Sequence, residues 1–129
     1  MSPSKIFLYY WKSISLIAFI LYLSFAPPST FNGVPSFAYE DKVVHIFLYS
    51  VLTCILIFDY RKYAKKNKTN TWVFALICLA FPIFIGGSVE ILQPTFFAPR
   101  TAEWLDLFSD ITGVMIGWLC MKFLIKQKN

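Results

Sequence analysis

Four apolar runs, separated by short polar segments, set the pattern of the chain, roughly over 6–26, 41–58, 72–93 and 105–125. A helix needs about 20 apolar residues to cross a hydrocarbon core, with about 17 as the lower limit. The first, third and fourth runs satisfy this. The second is strictly apolar only over Val43–Phe58, and reaches the length when its helix starts near Glu40 or Asp41. Pro27 and Pro28 end the first run. The pattern predicts an all-α fold, an integral membrane bundle of four transmembrane helices forming a single domain over 1–129.

The first run invites one alternative, a cleaved signal peptide, because Lys5 and Lys12 precede "SFA" at 24–26. It exceeds the usual 7–15-residue apolar region of such peptides, and its removal would leave three spans. A retained helix is therefore expected.

Composition agrees with a bilayer environment. Hydrophobic residues make up 57% of the chain and aromatics 19%, against about 45–50% apolar in soluble domains. Cys54, Cys78 and Cys120 are isolated, without C-x-x-C spacing, and an odd count does not make a disulfide framework. They are expected as small hydrophobes in helix interfaces.

The net charge of +5 is unevenly placed. Lys5 and Lys12 flank or enter the first run, Arg61, Lys62, Lys65, Lys66 and Lys68 lie between the second and third, and Lys122, Lys126 and Lys128 close the fourth. The opposite side holds only Lys42 and Arg100. The positive-inside rule therefore predicts that both termini and the middle loop are cytoplasmic. The charge reads as a topology signal, and no recognition motif points to nucleic acid. Tyr39, Phe96, Phe97 and Trp104 would form an interfacial aromatic belt near the outer loops.

Six of the seven acids, Glu40, Asp41, Glu90, Glu103, Asp106 and Asp110, fall at the outer side with the single histidine, His45; Asp59 is expected beside the cytoplasmic loop. Helical spacing aligns Asp41, His45 and Tyr49 on the second helix, and Gly86, Glu90 and Gln93 on the third. On the fourth it aligns Asp106, Asp110, Gly113 and Gly117. Polar stripes in lipid face the bundle interior, so the three stripes should face one another. Gly113-x-x-x-Gly117 is a close-packing motif for membrane helices. Asp41, Asp106 and Asp110 gain support from helix N-termini, whereas Glu90, near a C-terminus, does not.

The segments "DKVVHIFLYSVL" (41–52), "VEILQ" (89–93), Arg100 and "DLFSDITGVMIG" (106–117) occur in this order. The set resembles the VanZ-like family of small bacterial membrane proteins, with its D-K-x-x-H-x-x-x-Y, E-x-x-Q and R…D-x-x-x-[DN]-x-x-G-x-x-x-G patterns. Asp110 stands where asparagine is frequent, which makes this cluster more acidic. The resemblance covers about residues 41–117 and implies a cell-envelope protein of the bacterial cytoplasmic (inner) membrane, in a family named for a member associated with teicoplanin resistance. It implies no settled chemistry.

The expected site is an outward-facing polar pocket with Glu90, His45 and Asp106 as candidate catalytic groups. Asp41, Lys42, Tyr49, Gln93, Arg100 and Asp110 would contact the ligand. His45, Glu90, Asp106 and Asp110 are the candidate ligands should a divalent metal bind. The alternative to a metal is a hydrogen-bonded network neutralised by Arg100 and Lys42. Arg100 suits phosphate or carboxylate, but the surplus of acids repels phosphate unless a cation or protonation compensates. Three functions stay open: binding or modifying a lipid-linked or peptidoglycan-related ligand, with an effect on glycopeptide susceptibility; a metal- or acid/base-dependent enzyme; and a proton- or cation-coupled carrier. Membrane lipid is the expected partner in each.

Overall fold

A computed structural model describes the backbone of residues 2–25, 40–96 and 104–128, and side chains over 2–25, 42–93 and 104–125. The first helix, α1, spans Pro3–Phe25, with proline at the first position, where its missing N–H costs nothing. Helix α2 spans Glu40–Ala64. Three consecutive segments form α3: Thr71–Ala75, a π-helical turn Leu76–Ala80, and Phe81–Phe96. Helix α4 spans Trp104–Lys128. Each of the four contains a stretch long and apolar enough to cross a membrane.

Helix α2 runs six residues beyond the apolar run, which ends at Phe58. Arg61 and Lys62 thus belong to its last turn and not to a loop. The extension is held by packing. Tyr63 meets Tyr9 of α1 edge-on at 5.5 Å between ring centroids, and Tyr60 meets Phe74 of α3 at 5.4 Å. After the turn, Asn70 caps α3 by accepting a hydrogen bond from Val73 N at 3.0 Å.

The π turn has a local cause in Pro82. This residue has no N–H to offer the Cys78 carbonyl, and its ring crowds that carbonyl. Phe81 N–H instead reaches back to Leu76 O, five residues earlier.

The most extensive packing joins α2 and α4, which run parallel. A Cβ on Gly113 would lie 2.6 Å from Ile46 O, and one on Gly117 would lie 2.5 Å from Ser50 O. The helices approach backbone to backbone because these positions carry no side chain. Ser50 Oγ donates to Ile46 O at 2.6 Å and has Gly113 O at 2.9 Å as a second acceptor. Helix α1 packs antiparallel on α2, and α3 packs antiparallel on α4. The N-terminus of α1, the 65–70 turn and the C-terminus of α4 therefore share one end of the bundle.

The core between the helices comprises Ile20, Tyr49, Leu52, Leu56, Ile57, Cys78 and Val114. Large apolar groups such as Phe7, Phe47, Phe84, Phe108 and Phe123 face outward. That distribution suits lipid as the surrounding solvent, since soluble monomers rarely expose contiguous apolar patches above a few hundred Å².

Asp59 departs from its expected place beside the loop. It is buried, and its Oδ2 accepts from Ser13 Oγ at 2.7 Å and Ser13 N at 3.3 Å. Tyr10 lies just before this contact with φ −115° and ψ 15°, a break in α1. The distortion leaves the Ser13 N–H available to a carboxylate from α2. Among the cysteines, Cys78 is buried and Cys54 half-buried, with its Sγ 3.6 Å from Gly117 O. Cys120 is exposed on the outer face of α4 and not in an interface.

Candidate functional site

The opposite end of the bundle gathers ionisable groups from three helices. Parallel packing sets α2 and α4 in a register that repeats one turn apart. Lys42 Nζ lies 2.6 Å from Asp106 Oδ1, and His45 Nδ1 lies 2.6 Å from Asp110 Oδ1. The glycine seam continues this register, so the contacts that close the backbone gap also fix the ion pairs.

The two pairs differ in character. Lys42 and Asp106 retain side-chain exposures of 14% and 11%, and their contact is a charge contact off hydrogen-bond geometry. Asp106 also lies in the first turn of α4, where the helix dipole favours a carboxylate. Asp110 is only 1% exposed. Its carboxylate accepts from Nδ1–H of His45, which orients the ring and directs the acceptor lone pair of the neutral imidazole to Nε2. The His45 ring lies nearly parallel to that of Tyr49, with an interplanar angle of 5° and centroids 6.3 Å apart. Tyr49 is itself buried and forms one wall of the histidine's surroundings.

Asp110 Oδ2 has no hydrogen-bond partner among the described residues. It is aimed at Gly86 of α3, where a Cβ would stand 2.5 Å away. Gly86 therefore admits this carboxylate between α3 and α4. One turn further along the same antiparallel register lies Glu90, buried at 7% exposure.

Gln93 serves a different neighbour. Its Nε2 donates to Ser24 O of α1 at 2.8 Å, tying α3 to the end of α1. The structure thus brings together Lys42, His45, Tyr49, Glu90, Asp106 and Asp110, and turns the Gln93 amide to α1. Arg100 and the Asp41 side chain lie outside the described residues, as do Tyr39, Phe97 and the Phe96 side chain of the expected aromatic belt. Trp104 of that belt is exposed.

Among the described residues no three His, Cys, Asp or Glu side chains converge as a metal-ligand set. His45 spends its Nδ1 on Asp110, and Asp106 faces Lys42. Among the described residues these groups form a paired network in which Asp106 Oδ1 and Asp110 Oδ2 are buried without a hydrogen-bond partner.

Ser50 and the Ser13–Asp59 link were not foreseen in the sequence. A serine one turn beyond Ile46 carries no signal of its own until the facing Gly113 carbonyl is known.

Comparison of the chain with protein-family models, curated proteins and solved structures finds no match. Fold and site alone define the class, a helical protein with four candidate membrane spans and a polar cluster at one end.

Proposed function

We propose that the chain is a VanZ-like protein of the bacterial cytoplasmic membrane, with cytoplasmic termini and the polar cluster at the outer face. In this reading the cluster binds or modifies a lipid-linked or peptidoglycan-related ligand. The observation that carries it is the His45–Asp110 pair, with Asp110 Oδ2 unpartnered among the described residues and Glu90 buried one turn beyond Gly86 on α3. Among the described residues, three carboxylates against one lysine and one histidine suit a ligand rich in hydrogen-bond donors, such as sugar hydroxyls or peptide ammonium groups. A bare phosphate is disfavoured by the same balance.

The test expresses the chain in a teicoplanin-susceptible host, at matched membrane abundance, as wild type, Asp110→Asn and His45→Phe. The wild type should lower susceptibility and the variants should not. Retention of lipid-linked cell-wall precursor by the purified protein should follow the same order. Unchanged susceptibility together with no retention overturns the reading.

A second reading, an acid/base enzyme, draws on the orientation of His45. A carboxylate on Nδ1–H fixes the tautomer and leaves Nε2 to take a proton, as in histidine–aspartate dyads. Turnover of the retained precursor, lost in His45→Phe, would distinguish it from binding alone.

A further inference from the structure

At the other end of the bundle, α2 and α4 part around a cavity of about 450 Å³. Its polar side is formed by Arg61, Lys62 and Lys65. Its apolar side is formed by Phe58 of α2 with Met121, Leu124 and Ile125 of α4. No carboxylate among the described residues lines it. The nearest acid along α2, Asp59, is buried against Ser13. None of the three cations enters an ion pair among the described residues. One further positive charge stands close by, since the Lys12 ammonium lies 4.9 Å from the Phe58 ring centroid, over which Lys62 also stands at 5.2 Å.

Two familiar causes explain part of this arrangement. Basic residues offset the partial negative charge of a helix C-terminus, and they mark the cytoplasmic side of a span. Neither cause calls for an apolar hollow directly beside the cations. Phe58 and Leu124 remain 46% and 55% exposed, so the hollow opens to the bilayer. Its volume falls within the range of roughly 300–1,000 Å³ typical of small-molecule sites.

We propose that this cavity binds an anionic phospholipid of the adjoining leaflet. Its phosphodiester oxygens meet Arg61, Lys62 and Lys65, and the start of an acyl chain lies along Phe58, Met121 and Leu124. Anionic headgroups are selected because a zwitterionic headgroup carries its own ammonium into the positive field. The proposal rests on the four helices spanning a membrane and is independent of what the polar cluster binds.

The test uses the purified full chain, with phosphatidylglycerol and phosphatidylcholine titrated against it and read by native mass spectrometry. Phosphatidylglycerol should bind and phosphatidylcholine should not. The double substitution Arg61→Gln/Lys65→Gln should weaken phosphatidylglycerol binding roughly 25-fold, at about fivefold per cation. Lys66→Gln/Lys68→Gln removes the same charge from residues that do not line the cavity, and should weaken binding no more than about threefold by long-range attraction alone. Leu124→Trp keeps the charge, fills the hollow, and should weaken binding while helix content by circular dichroism is preserved. Equal loss in the two double variants would reduce the effect to general surface charge and overturn the proposal. So would equal binding of phosphatidylcholine, or displacement of the lipid by glycerol phosphate at the lipid's own affinity.

Discussion

Gly117→Ala tests the seam between α2 and α4. The added Cβ would stand 2.5 Å from Ser50 O and 2.9 Å from Thr53 Cβ, where ordinary contact begins at 3.4 Å. Relief therefore requires a retreat of about 0.9 Å. The oxygen belongs to the backbone of α2, so it cannot swing aside as a flexible side chain would. The helices must separate, stretching the Ser50–Gly113 contact that now measures 2.9 Å. Overpacking of this kind costs about 1–3 kcal/mol. The better helix propensity of alanine returns up to about 1 kcal/mol. A net loss of up to about 2 kcal/mol is expected. Gly87→Ala is the internal control, because its Cβ meets nothing within 4 Å and only the propensity gain of up to about 1 kcal/mol remains. Unfolding in mixed detergent micelles, followed by tryptophan fluorescence, should rank Gly87→Ala at or above wild type and Gly117→Ala below it. Equal stability of the two variants would refute close backbone packing of α2 on α4.

Removing one member of the buried pair, as in His45→Leu, leaves the Asp110 carboxylate without its proton donor and should cost about 3–5 kcal/mol. His45→Leu/Asp110→Leu should recover most of that; a double-mutant-cycle coupling near zero would deny the contact. Ser13→Ala and Asp59→Asn should each destabilise the bundle by about 1.5–3 kcal/mol, as expected for a hydrogen bond to a charged group. Additive losses in the double variant, measured in the same micelles, would show that the two residues do not act on each other. With the termini cytoplasmic as proposed, a cysteine replacing Lys66 in a background lacking Cys54, Cys78 and Cys120 should react with an impermeant maleimide only after the cells are opened. Labelling of intact cells would invert the topology.

Hydrophobic runs made the four helices legible, and the spacing of Asp106, Asp110, Gly113 and Gly117 made one face of α4 legible with them. That face does meet α2, because small residues and opposed charges both favour the same close approach. The stripe on α3 was harder to assign. Gly86 and Gln93 share a helical face, yet at different heights that face meets α4 and α1 respectively. Spacing along one helix gives direction but not the identity of the neighbour at each level. Asp59 illustrates the same limit. Next to a cluster of cations it reads as a surface acid, and only the packing of α1 on α2 reveals the Ser13 hydroxyl and N–H from which it accepts.

The fastenings of α1 have a consequence for how its position is specified. Lipid chains and leucine side chains are nearly equivalent solvents for an apolar helix, so apolar burial alone discriminates weakly between one axial placement of α1 and the next. Ser13 and Ser24 lie eleven residues apart, about 16 Å along the axis; the Ser13 hydroxyl donates to Asp59 of α2, and the Ser24 backbone carbonyl accepts from Gln93 of α3. A slide by a single residue rotates α1 through about 100° and breaks both contacts together. The Asp59 carboxylate and the Gln93 amide thus act as a vernier for α1, refining a position that apolar packing alone specifies more weakly.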